Sequence, residues 1–177
     1  MRAHLSVALA AGCLILGMGA GLAAKKDKPP GIDVMRGKPP KEAGLAALEE
    51  AQKLAGNGSW ELLAVARVYY LSGDKATGQS LIDRVAGAKP AGSDWERIGQ
   101  IYAEAGENPR AEEAFRKQLA ADPKDDSGRA LIGAWYIRIG QRDKGEELFA
   151  QAFARNPDEV WHYVRAAQAF LGVPEGR

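Results

Sequence analysis

The side chains that could carry chemistry are few and scattered. Histidine occurs only at His4 and His162, and the single cysteine is Cys13. A zinc-type site needs three or four converging ligands, and beyond residue 24 His162 is the one nitrogen or sulfur ligand of that kind. A serine nucleophile would have to take His162 as its base, and no Gly-x-Ser-x-Gly turn is present to hold such a serine. Asp122, Asp125 and Asp126 gather in one stretch, as calcium ligands do, but the twelve-residue calcium-loop spacing is missing. They read as turn and cap residues. Glu112-Glu113 and Glu146-Glu147 are paired carboxylates in matching places, and they read as solvated helix faces. No glycine cluster has the form of a phosphate-cradling loop. The expectation is a non-catalytic protein with no metal and no cofactor.

Composition sets further bounds. The 177 residues carry 24 Lys and Arg against 23 Asp and Glu, for a net charge of +1. No basic stripe marks a helix, which argues against nucleic acid as a partner. Hydrophobic residues make up 46% and charged residues 27%, as in ordinary globular domains. With no cysteine after residue 24, the body of the chain must be held by packing alone.

What organises that body is a repeat. Gly99, Tyr102, Gly106, Phe115 and Pro123 recur at one constant offset as Gly133, Tyr136, Gly140, Phe149 and Pro157. A fixed period of about 34 residues marks stacked helical units. An earlier and weaker unit carries Ala66, Tyr69, Gly73, Gly78, Ile82, Val85 and Pro90. The small residues pair as Ala66 with Gly78, Gly99 with Ala111 and Gly133 with Gly145. At such pairs two helices can cross closely, because interaxial distance follows the side chains at the contact. Gly73, Gly106 and Gly140 are expected to end the first helix of each unit in the left-handed conformation. Pro90, Pro123 and Pro157 should stop the second, since the residue before proline is pushed out of the α region. Asn108-Pro109 predicts a cap followed by proline at the first helical position. Ser93-x-x-Glu96 predicts a capping box.

These residues resemble the tetratricopeptide repeat (TPR) family, whose helix–turn–helix unit of this period has the sparse pattern Trp, Leu-Gly, Tyr, Gly, Ala, Phe, Ala and Pro. With Gly92 as the first position, Trp95, Ile98-Gly99, Tyr102, Gly106, Ala111, Phe115 and Pro123 fall in place. Leu62 and Arg129 stand where the pattern has Trp, and Gln118 stands where it has a small residue. The resemblance implies an all-α protein, an α-solenoid of stacked helix pairs with flanking capping helices, in repeats at about 59–91, 92–125 and 126–159. A helix over 41–55 would precede the stack and one over 159–171 would close it, so that the helical domain runs over 41–177. Trp60, Trp95, Trp135 and Trp161 fall one per first helix, and a structural role is expected for most of them.

The resemblance also implies a function: a protein–protein interaction module or scaffold that takes a peptide or partner helix in its concave face. Transferred position by position, the partner-binding residues would be Leu63, Arg67 and Tyr70 in the first repeat, Glu96 and Gln100 in the second, and Ala130, Ala134 and Ile137 in the third. Some TPR domains clamp a C-terminal carboxylate with Lys and Asn. Leu63, Arg67, Arg97, Ser127 and Leu131 stand at those positions here, so that clamp is expected to be absent. The alternatives are a subunit of an enzyme or assembly complex, and a structural protein that self-associates through its ends.

The N-terminus adds a location. Residues 5–24 carry no charge and end in Gly21-Leu22-Ala23-Ala24, after a positive charge at Arg2. Residues 1–24 therefore read as a secretory signal with a small-residue cleavage site. An uncleaved membrane anchor is the rival, because about 20 apolar residues can span a bilayer and Lys25, Lys26 and Lys28 follow directly. Ala10-Ala11-Gly12-Cys13 offers a third reading as a bacterial lipoprotein box. All three put the remainder outside the cytoplasm, in the periplasm or cell envelope. Residues 25–40, with Pro29-Pro30 and Pro39-Pro40, read as an extended or disordered linker. Mass spectrometry of protein taken from its host is expected to find an N-terminus near Ala24 or Lys25. An intact Met1 in the membrane fraction would instead identify an anchor, and a diacylated Cys13 a lipoprotein.

Overall fold

The computed structural model describes residues 30–174. The apolar stretch 5–24, with Cys13 and the expected cleavage site, lies outside the described residues. Among the described residues the protein is all-α, with eight α-helices and no strand. They are α1 (Pro40–Ala55), α2 (Ser59–Leu71), α3 (Lys75–Ala86), α4 (Gly92–Glu104), α5 (Asn108–Ala121), α6 (Asp126–Arg138), α7 (Arg142–Arg155) and α8 (Val160–Leu171). None is long and apolar enough to cross a membrane. The expected linker is not wholly extended where it is described: Gly31–Val34 forms a 3-10 turn closed by the Met35 N–H on the Ile32 carbonyl at 3.0 Å. Pro40 then opens α1, where a missing N–H costs nothing.

Local chemistry sets the helix ends. Gly73, Gly106 and Gly140 follow α2, α4 and α6 with φ of 106°, 74° and 82°. An L side chain rarely adopts that region, and glycine does so at no steric cost. After Gly106 and Gly140 the chain folds back, with Glu107 N–H bonded to the Tyr102 carbonyl at 2.8 Å and Gln141 N–H to the Tyr136 carbonyl at 2.9 Å. These bonds satisfy carbonyls that a helix end leaves open. Asp74 caps α3 by accepting the Thr77 N–H at 3.1 Å, and Asp125 caps α6 by accepting the Gly128 N–H at 2.7 Å.

Two expected caps differ. Asn108 is already helical, Glu107 takes the cap position, and the Glu107 carboxylate is used elsewhere. The start of α4 is held by Asp94, which accepts the Ala91 N–H at 2.9 Å, and not by a Ser93–Glu96 box. Glu96 is drawn away to Gln100 and Gln118.

The helices pack as α2 on α3, α4 on α5 and α6 on α7, each pair joined by a short turn. Further contacts link α1 to α2, α2 to α4, and α6 to α8. At the α6–α7 crossing a methyl group built on Gly133 would stand 3.0 Å from the Gly145 carbonyl oxygen. One built on Gly145 would stand 2.7 Å from the Gly133 carbonyl oxygen and 2.5 Å from Ile137 Cγ1. At the α2–α3 crossing a methyl group on Gly78 would stand 2.9 Å from the Ala66 carbonyl oxygen. Gly99 is confined differently: the nearest atoms are those of the Phe115 ring, while Ala111 is wholly buried.

One buried apolar cluster runs through α2 to α6, and a second joins α6, α7 and α8 through Ala130, Ala134, Phe149, Ala152 and Ala169. The tryptophans divide. Trp135 is core and Trp95 is partly buried, but Trp60 and Trp161 stand on the surface, 55% and 70% exposed.

Arg129 and Gln118, which interrupt the repeat pattern, are both buried. Arg129 gives Nη2–H to the Pro123 carbonyl at 2.5 Å and Nη1–H to the Asp125 carbonyl at 3.3 Å, so it ties down the α5–α6 loop where a Trp would only fill space. Gln118 donates to Glu96 at 3.2 Å and to Asp125 at 3.0 Å. Because the α6–α7 backbones touch, Gly133→Leu is expected to cost about 1–3 kcal/mol by overpacking. Thermal denaturation checks it, and an unchanged melting temperature would contradict the crossing.

Candidate interaction groove

Residues of α2, α4 and α6 line one cavity of about 710 Å³. Its floor includes Leu131 and Trp135, and its walls include Arg67, Arg97, Gln100 and Arg138. The cavity is open along one side and is bordered by the turn Gly172 to Pro174 after α8. Arg67 is held in place by Glu104, with Nε 2.7 Å and Nη2 2.5 Å from the same carboxylate oxygen. Arg97 lays its guanidinium 3.2 Å from the ring centre of Trp60, which explains why that exposed indole is not a loose side chain. Such stacking is worth about 0.5–1 kcal/mol at an exposed site. The Trp135 indole packs edge-on to Phe115 at 5.1 Å and against Tyr136 at 4.7 Å, and its buried Nε1–H has no acceptor among the described residues.

The sequence-derived binding positions reach this groove only in part. Arg67 and Gln100 line it. Leu63, Ala130 and Ala134 are buried, and Tyr70 is 3% exposed, so these four have no surface to offer a partner. The reason is the packing between first helices. Tyr70 meets Tyr102 of α4 edge-on at 5.8 Å, and Ala130 and Ala134 join Ala169 of α8 in one cluster. Ile137 fills the α6–α7 crossing beside Gly145. Glu96 is part-buried and accepts from Gln100 and Gln118. The residues that the positional transfer missed are Arg97, Glu104, Leu131, Trp135 and Arg138. One trace of them was visible, since Glu104 and Arg138 occupy the same position in successive repeats.

Behind the groove a polar network joins the first two helix pairs. Glu107, in the α4–α5 turn, accepts from the Tyr70 hydroxyl at 2.8 Å, from Lys75 Nζ at 2.7 Å and from Arg110 Nη1 at 3.0 Å. Arg110 also donates to the Tyr70 hydroxyl at 2.8 Å, to the Tyr102 hydroxyl at 2.9 Å and to Gln79 Oε1 at 2.5 Å. A smaller version links the next pairs, where Glu112 accepts from the Tyr136 hydroxyl at 2.8 Å and from Lys144 Nζ at 2.9 Å.

The hydrogen bond from Lys75, followed by that from Tyr70, pulls the Glu107 carboxyl down to about 2. Burial, followed by the bond to Glu107, pushes the Tyr70 phenol up to about 12. Neither group is poised to exchange protons near neutrality, so the network holds structure and does not suit acid–base work. Among the described residues no group of three or more His, Cys, Asp or Glu could hold a metal ion. His162, the residue on which a triad would depend, is buried against Phe153 with ring centres 6.0 Å apart.

No family model, no curated protein and no solved structure matches the chain.

Because Glu107 is depressed from its ordinary 4.5 to about 2, its contribution to stability is complete above pH 4.5 and is lost as pH falls toward 2. Glu107→Gln is therefore expected to lower the melting temperature at pH 7 and to reduce the drop in melting temperature between pH 5 and about pH 2. Calorimetry at both pH values checks this, and an undiminished acid-induced drop in the variant would contradict it.

Proposed function

We propose that this protein is a non-catalytic interaction module whose helix pairs form a TPR-like solenoid, and that its groove takes an extended segment or helix of a partner protein. The observation that carries the reading is the cavity between α2, α4 and α6, with an apolar floor and a wall of guanidinium groups. Aromatic and arginine side chains are the ones most often energetic at such contacts. The periodic recurrence of the crossing glycines and turn glycines supports the TPR assignment. The lack of a Gly-x-Ser-x-Gly turn in the sequence and, among the described residues, of any His, Cys, Asp or Glu group that could hold a metal ion supports the non-catalytic part. The apolar stretch 5–24 supports a site of action in the cell envelope, as an exported or anchored protein.

The groove chemistry narrows the partner. Arg67, Arg97 and Arg138 approach it from three successive first helices, with Glu104 as the acidic group beside them. A segment with carboxylates flanking one or two apolar anchors fits both the wall and the floor.

The test is a pull-down from the envelope fraction with wild type and with an Arg67→Ala/Arg97→Ala double variant. Both substitutions lie on the groove wall and spare the core. Loss of a captured partner with helicity intact is the expected result, with affinity for the purified partner falling at least tenfold. The same partners recovered at the same yield would overturn the groove reading.

A further inference from the structure

Exposed apolar side chains are concentrated at two places. Among the described residues, every exposed large hydrophobic side chain lies on α1, α2, α8 or the segments flanking α1 and α8. Helices α3 to α7 expose none. Patches of this kind on a folded protein mark interaction sites, and the chain's own helix pairs say what each one lacks.

Among the described residues, the helices that pack on α8 are α6 and α7, both before it in the chain. Ala167 and Phe170 stand one full repeat period after Gly133 and Tyr136, by which α6 receives α7, and Tyr163 precedes Ala167 by one turn. On α8 that row is only half covered: Tyr163, which rests on Phe153 of α7 and donates to the Pro157 carbonyl, is 53% exposed, Phe170, with the Arg142 guanidinium over its ring, is 48% exposed, and Val160 and Leu171 beside it are more exposed still. Among the described residues, the helix that packs on α1 is α2. Gly44, Leu48 and Ala51 stand one full repeat period before Gly78, Ile82 and Val85, the row by which α3 meets α2. A methyl group on Gly78 would strike the helix before it, whereas one on Gly44 would meet nothing within 4 Å. An open cleft of about 990 Å³ runs along this row, lined by Gly44, Leu45 and Leu48 of α1 and by Val68 of α2, with Lys41 and Asp74 at its rim.

We propose that the occupant of this cleft is α8 of a second copy of the chain. The half-exposed face of α8 and that of α1 would form the two halves of one helix pair, in the register that the chain already uses for α2 with α3, α4 with α5, and α6 with α7. The cleft also offers Val68 of α2, in the way that α6 offers a face to α8 within one copy. The contact is heterologous, so every copy keeps a free α8 at one end and a free cleft at the other. Association then proceeds head to tail into dimers and longer rows. This is separate from the groove, and each proposal can fail without the other.

Sedimentation velocity on the chain as isolated from its host, over a range of concentrations, tests the contact with two variants. Leu45→Glu/Val68→Glu charges the cleft, and Tyr163→Glu/Phe170→Glu charges α8. All four positions are exposed, and circular dichroism checks that both variants keep wild-type helicity. Wild type is expected to grow with concentration, and each variant alone to need at least tenfold more protein to associate. Mixed in equal amounts, the variants should form dimers and nothing larger, because one brings an intact α8 and the other an intact cleft. That dimer also shows that both variants fold.

Three results would overturn the proposal: wild type monomeric throughout, a cleft variant that still dimerises alone through α8, or folded variants that do not combine.

Discussion

The contact on which the rest depends is the close passage of paired helix backbones at small residues. Gly145 leaves no room for a methyl group against the Gly133 carbonyl oxygen, Gly78 leaves none against α2, and Gly133 leaves little against the Gly145 carbonyl oxygen. Close passage lets Phe149, Ile132 and Ile82 close over the crossings and exclude water. It also fixes the depth at which each first helix sits, and therefore where the first helices meet one another. Burial of apolar surface is worth about 25 cal/mol per Å², but here the glycines decide whether the large side chains can be buried at all.

Electrostatics acts on the turns between those pairs. Glu107 gathers Tyr70, Lys75 and Arg110 from α2, α3 and α5, and Glu112 joins Tyr136 to Lys144. A carboxylate that accepts several charged or phenolic donors is a stronger tie than an isolated surface ion pair, which is worth about 0–1 kcal/mol. Arg129 and Gln118 do the same from inside. Both are buried polar residues, and both bond to the α5–α6 loop or its caps. The pairs are thus joined by apolar contact between first helices and by directed hydrogen bonds near the turns.

This division of labour leaves two kinds of surface. The groove between α2, α4 and α6 is polar at its walls and apolar at its floor, with arginines braced by Glu104 and Trp60. The end faces on α1 and α8 are mostly apolar. A braced, mixed groove suits a partner chosen by sequence, while a bare apolar helix face suits another helix.

The amino-acid sequence by itself determined the periodic part. Eight helices, the glycine stops, the Gly133–Gly145 crossing and the helix from near Lys41 to Ala55 are legible because each rests on residues close together in the sequence. Backbone limits of glycine and proline act locally, and a fixed recurrence displays them directly. Contacts between repeats were decided only in the tertiary structure. Leu63, Tyr70, Ala130 and Ala134 look like groove residues by position, yet the lateral packing of α4 and α8 buries them. Arg97 became a wall of the groove because Trp60, on another helix, offers it a ring. Caps at Ala91 and Glu107 shifted because Asp94 lay nearer and because three donors claimed the Glu107 carboxylate. A spacing rule places a residue on one helix; which neighbour covers it depends on how that helix is packed.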